Sequence, residues 1–189
     1  MQTSEAVTDA AWHATTVARV LGGEADAYGE LVCAHRARCL RYAYRLLGDR
    51  DEAEDVAQDA FVRAYRALPR CSDPGRFGAW LFQILMNRCR TALAVRARRD
   101  RLLANAGSWE EPEHGGAEHD ASFTLADVET VMQSLPHAQR EAFLLRHVED
   151  MSYKEMAALT GSSVTALRMR VSRAREHLRA RLSEVYDAR

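Results

Sequence analysis

A chain of 189 residues with 47% hydrophobic and 28% charged side chains can bury a core and leaves room for one domain or two small ones. Only 7% of residues are aromatic and only four are proline, while alanine, leucine and arginine recur, a composition that favours an all-α fold over strands. The formal charge of −1 decides nothing about nucleic acid; the apolar run at residues 79–86, broken by Gln83, is too short to span a bilayer.

Residues 1–20 read as an N-terminal tail. They hold neither a basic stretch nor an apolar run of the secretory kind, so a soluble, cytoplasmic protein is expected. From about residue 25 the pattern turns helical. Tyr28, Leu31, Val32, His35, Cys39, Tyr42, Ala43 and Leu46 recur three and four apart, and Gly48 ends that helix. His35 falls on its apolar side and reads as a core residue. A second helix opens in the acidic stretch 49–55 and runs through Val56, Ala60 and Ala64 to Arg66, with acids at its start and arginines at its end to suit the helix dipole. Residues 69–78 cluster proline, serine, aspartate and glycine and read as a loop. A third helix follows with Phe77, Trp80, Leu81, Ile84 and Leu85 on its apolar side, Trp80 reading as core.

That helix ends in a basic run. Arg88, Arg90, Arg96, Arg98, Arg99 and Arg101 face a single acid, Asp100. Between residues 104 and 130 there is no lysine or arginine, and seven acids stand there, Glu110, Glu111, Glu113, Glu118, Asp120, Asp127 and Glu129. Within it, glycines, a proline and the loss of periodicity mark residues 105 to about 123 as an acidic flexible linker, and charge segregated in this way reflects partners more than fold. Four cysteines without CxxC spacing suggest neither a disulfide framework nor a zinc site, and read as small buried residues.

Residues 124–134 and 136–147 read as further helices, with Pro136 at a first helical position. The most informative stretch follows. Ser152 with Glu155 is a capping-box pattern, Ala157 permits a close helix crossing, Gly161 supplies a tight turn, and Ser162 or Ser163 caps the next helix. This is a helix-turn-helix. The last helix carries Val164, Leu167, Val171, Ala174, Leu178 and Leu182 on one side, while Thr165, Met169, Ser172 and Arg173 point away and Arg168 lies on the edge. Hydroxyls and arginine forks opposite an apolar stripe suit a helix laid in a major groove.

Three stretches together resemble the extracytoplasmic-function sigma factors, the minimal promoter-specificity subunits of bacterial RNA polymerase. AEDVAQDAFVRAYRAL (53–68) resembles that family's polymerase-binding helix. FGAWLFQILMNRCRTALAVRARR (77–99) resembles its melting and minus-ten recognition helix, and residues 134–182 resemble its minus-thirty-five domain. The resemblance implies a tail at 1–20, sigma region 2 at 21–101, a linker at 102–123 and sigma region 4 at 124–189. It implies that Asp55, Gln58, Asp59 and Phe61 face the clamp helices of the beta-prime subunit, with the beta flap as a second contact. The loop 70–78 then selects a flipped minus-ten base, with Phe77 among the minus-ten residues and Asn87 lining the base pocket. Arg88, Arg90, Arg96, Arg98 and Arg99 hold the strand, and Thr165, Arg168, Met169, Ser172 and Arg173 read the minus-thirty-five element. The family commonly has an aromatic where Cys71 stands and serine where Met169 stands, so base preference does not transfer; Met169 suits a thymine methyl.

Promoter DNA, core polymerase and an anti-sigma factor are the implied partners, with no cofactor, metal or membrane insertion. The acidic group from Asp49 to Asp59 is also open to reading as a solvated helix start or a metal site. No HExxH, GxSxG or glycine-rich phosphate loop is present, so no enzyme is expected. A stand-alone helix-turn-helix regulator and a partner-binding adaptor are the alternative readings.

Overall fold

The computed structural model describes residues 2–105 and 125–187, which are helical with no strand among them. They belong to two compact units, Met1–Ala97 and Arg98–Arg189.

In the first unit, α1 (Gln2–Leu21), α2 (Ala27–Leu47) and α3 (Arg50–Ala67) precede two short 3-10 turns, Leu68–Arg70 and Pro74–Arg76. Helix α4 (Phe77–Asn105) follows and runs past the end of the unit. The α2–α3 joint is built from adjacent stop and start signals. Gly48 adopts a left-handed φ of 78° and donates its N–H to the Tyr44 carbonyl, while the Asp49 carboxylate accepts from the Glu52 N–H. Arg96 of α4 secures the same corner by donating to the Leu47 carbonyl at 3.3 Å. Small residues on the inner side of α3, Ala53, Ala57, Ala60 and Ala64, are buried and let it approach α2 closely. Leu31, Tyr42 and Leu46 of α2 and Leu81, Phe82 and Leu85 of α4 supply the bulk of the core, and each such side chain contributes about 1.5–3 kcal/mol. Cys39 and Cys89 are buried as expected; Cys33 is exposed and Cys71 partly so.

Residues 1–20, which the sequence reads as a tail, are almost wholly the helix α1, and α1 packs on α2. Among its described side chains the inner side is not a stripe of large apolar residues. His13, Thr16 and Val17 are buried there, the Thr16 hydroxyl donating to the Trp12 carbonyl and His13 Nε2 meeting His35 Nε2 at 2.8 Å, where one imidazole donates to the other. At its end Arg19 bonds both Glu24 and Glu30 at 2.9 Å.

Burial lowers the His35 pKa to about 4, and His13 and Arg38 push the same way, against Asp9. In the unfolded chain the group titrates near 6.5, so between about pH 6.5 and 4 the unfolded state holds the extra proton. Stability should therefore be flat in this group above pH 6.5 and decline as the solution is acidified toward pH 4. Thermal melts of the wild-type chain and His35→Gln across that window test it. The wild type should lose melting temperature more steeply than the variant, and parallel curves would contradict the account.

In the second unit, α5 (Leu125–Gln133), α6 (His137–His147) and α7 (Tyr153–Thr160) pack against α8 (Val164–Asp187). Val131, Met132 and Leu135 form one cluster with Ala174 and Leu178, flanked by Phe143 and Leu182. Pro136 stands one place earlier than expected: it is the N-cap of α6, with extended ψ of 137°, and its carbonyl accepts from the Gln139 and Arg140 N–H groups. Arg140 is buried to 3% exposure, its guanidinium donating to the Gln133 side chain and carbonyl and to the Leu135 carbonyl.

Candidate nucleic-acid interface

The turn between α7 and α8 forms by the signals present in the sequence. Ser152 and Glu155 make a reciprocal capping box, and Gly161 ends α7 in the left-handed region at φ 68°. The Ser163 hydroxyl accepts from the Ala166 N–H and starts α8. Leu167, Val171, Ala174 and Leu178, spaced four, three and four, are buried. That fixes the opposite side outward: Thr165, Arg168, Met169, Ser172 and Arg173 are all exposed, Met169 to 50%. The five expected recognition residues thus share one solvent side of a single helix.

Two of them have fixed neighbours. The Arg168 guanidinium stands 5.5 Å from the centre of the Tyr153 ring, and Arg146 approaches the same ring at 5.7 Å. Tyr153, at the first position of α7, therefore restrains the arginine on the neighbouring helix. The Ser172 hydroxyl donates to Glu176, and Arg170 donates to the Ser162 hydroxyl across the turn.

In the first unit the expected strand-holding residues lie along α4. Asn87, Arg96, Arg98 and Arg99 are exposed, and Arg88 and Arg90 are partly so. Arg88 forms an ion pair with Asp59 of α3, and the same carboxylate accepts from Arg63 at 2.9 Å. Burial works to raise the Asp59 pKa, but the Arg63 hydrogen bond and the Arg88 charge prevail and hold it below the usual value. Two guanidiniums are therefore the partners that an acid beyond the first helical turn requires. Arg96, beside its bond to Leu47, lies 3.8 Å from Glu52.

Phe77 corrects the sequence expectation. Its side chain is fully buried, with ring centres of His35, Trp80, His13 and Tyr28 between 5.7 and 6.4 Å away, so it cannot reach DNA in this fold and acts as the core anchor of α4. Gly78 beside it is required for close approach: a Cβ there would stand 2.8 Å from His35 Cε1.

The four residues expected to face polymerase differ in exposure and in partners. Asp55 and Gln58 are exposed, Asp59 turns to Arg63 and Arg88, and Phe61 is 7% exposed. Gln58 and Phe61 line an open groove of about 620 Å³ between α2 and α3, whose other walls include Tyr28, Arg36, Val62 and Tyr65. Val62 and Tyr65 remain 40% and 44% exposed, and the sequence reading missed them. The signal was there: both are large apolar residues off the inner stripe formed by Ala53, Val56, Ala60 and Ala64, and they follow Gln58 by four and seven. Tyr28 closes the groove floor by donating its hydroxyl to the Phe61 carbonyl at 2.7 Å.

The loop between α3 and α4 takes its shape from its two 3-10 turns. Cys71 donates its N–H to the Leu68 carbonyl and Arg76 to the Asp73 carbonyl, while burial pushes the Cys71 thiol pKa up. Among the described residues no three His, Cys, Asp or Glu side chains gather as metal ligands, and no helix is long and apolar enough to cross a membrane. The acidic segment at 106–124, expected as part of the linker, lies outside the described residues; residues 102–105 belong to α4.

Residues 31–99 match the family described as sigma-70 region 2, and residues 125–178 match sigma-70 region 4. Over 170 residues the chain is 34% identical to the RNA polymerase sigma-H factor of Pseudomonas aeruginosa, covering 85% of this chain and 88% of that one. It is 32% identical over 170 residues to the ECF RNA polymerase sigma-E factor of Escherichia coli, again 85% and 88%. Among solved structures it is similar to the sigma factor RpoE of Bartonella quintana in complex with the anti-sigma factor NepR. That comparison gives a TM-score of 0.66 and 26% identity, and covers 84% of this chain and 98% of that one.

Proposed function

The chain belongs to the extracytoplasmic-function group of sigma-70-type RNA polymerase sigma factors, and from that premise we propose that it directs core polymerase to a set of promoters by gripping each at two places. What carries the reading is one pairing: arginine-lined α4 in a region 2 match and arginine-lined α8 in a region 4 match, on one chain. Residues 21–101 dock on the beta-prime clamp and open the minus-ten element; residues 124–189 read the minus-thirty-five element and touch the beta flap.

In this reading α3 meets polymerase through Asp55, Gln58 and the groove edge at Val62 and Tyr65. Asn87 receives a base that has left the stack, selected by the loop at 70–76, and Arg88, Arg90, Arg98 and Arg99 hold the strand backbone, Arg96 joining them with its outer edge. Thr165, Arg168, Ser172 and Arg173 read base edges and phosphates in the major groove, and Met169 packs on a thymine methyl. The chemistry of RNA synthesis belongs to the polymerase; the chain works in the cytoplasm, carries no catalytic group and needs no cofactor. An anti-sigma factor, of the kind in complex with the Bartonella relative, holds it inactive.

Runoff transcription and gel shift, each with and without core polymerase, test the proposal. Core plus chain should start at defined sites while the free chain binds duplex weakly. If each basic helix meets about five phosphates, affinity of the assembled complex should fall by roughly 0.9 log units per contact per log unit of salt. Tight duplex binding by the free chain, with no start site directed on core, would overturn it in favour of a stand-alone regulator.

A further inference from the structure

The region 2 match begins at residue 31, so α1 lies outside it. Yet α1 is fastened to both ends of the segment that matters most for base selection. At the front, the second 3-10 turn packs on α1: a Cβ on Gly75 would stand 3.4 Å from the Ala10 carbonyl oxygen and 3.6 Å from the Ala10 Cβ. At the back, His13 is 4% exposed and its Nε2 meets His35 Nε2 at 2.8 Å, the rings stacked 15° apart with centres 5.0 Å apart. His35 in turn fills the space over Gly78 and lies 5.7 Å from the Phe77 ring, so it abuts the first turn of α4 where the loop ends. A hydrogen bond between the buried His13 ring and the half-buried His35 ring is directional in a way that apolar contact is not, and the His13 ring cannot swing without giving up that partner.

We infer that α1 is a specificity element: through the Ala10–Gly75 contact and the His13–His35 bond it positions the loop 70–76, and so sets how strictly the chain discriminates the minus-ten base. The inference rests on the proposed role of that loop in base selection. His13 and Ala10 are positioning residues; neither is placed against DNA.

The test uses the full chain assembled with core polymerase and fork DNA probes that differ only in the unpaired minus-ten base, A, C, G or T. Ala10→Leu pushes the turn outward, and His13→Phe keeps the aromatic packing but removes the bond. Both should flatten discrimination among the four probes by about fivefold, with affinity for core and preference at minus-thirty-five unchanged. His13→Gln, which restores a donor and acceptor, should recover part of it, which a merely structural loss would not. Cys71→Ala serves as the loop control. If Cys71→Ala shifts the base profile and the α1 variants do not, the inference fails and the role of the loop stands. A profile indifferent to Cys71→Ala and to the α1 variants alike would sink both.

Discussion

An Arg140→Ala chain is expected to lose about 3 kcal/mol of stability from its second unit while the first unit melts unchanged. The guanidinium is 3% exposed and serves the carbonyls of Gln133 and Leu135, just where α5 runs out of intrahelical partners. Alanine would remove the donors from both carbonyls, and an acceptor left unsatisfied in a buried site, as at Leu135, costs about 1–3 kcal/mol. A void adds to the loss. Arg140→Lys keeps the charge but offers a compact ammonium in place of a planar fork, so it should recover less than half. Hydrogen exchange on the full chain reads the result directly: protection should fall in α5, α6 and α8 and hold in α2 and α3. Unchanged protection in α5 and α6 would show that the buried arginine is dispensable.

The second large effect concerns recognition. Arg168→Ala should relax preference at one position of the minus-thirty-five element by about 1–3 kcal/mol, roughly five- to more than a hundredfold in relative promoter use. The side chain is exposed, faces the same way as Thr165 and Ser172, and is restrained by the Tyr153 ring 5.5 Å away. A guanidinium already held in place loses less entropy on meeting a base. Arg168→Lys should retain the salt dependence while losing the base preference, because the charge survives and the fork does not. A randomised promoter library transcribed by the assembled holoenzyme measures both variants at once. In the same library Met169→Ser should weaken selection for thymine at its neighbouring position. A profile for Arg168→Ala that matches wild type at every position would remove this residue from the reading surface.

Most of the second unit is legible in its sequence. The capping box at Ser152 and Glu155, the glycine at 161 and the 167–178 stripe are local signals, and tertiary packing agrees with them. Helix α1 was not legible, because beside Val17 its described buried positions are a histidine and a threonine that become acceptable inside only through partners elsewhere or one turn back. Sequence periodicity has no means of pairing His13 with a ring 22 residues away. Phe77 failed for a related reason: an aromatic at the end of a loop reads equally well as a stacking surface or as an anchor, and only its surroundings decide. Arg140 shows the converse, since a cation in an amphipathic helix suggests water until the carbonyls beneath it are seen.

The shared carboxylate at Asp59 has an effect that reaches beyond the seam it closes. With one anion answering Arg63 and Arg88, that triplet carries a single surplus positive charge, set within a molecule whose formal charge is −1. At physiological ionic strength the surplus fades over about 8 Å. Taken by itself, the triplet therefore attracts a nucleic-acid strand only at close range, and any pull from farther away falls to the other arginines along α4.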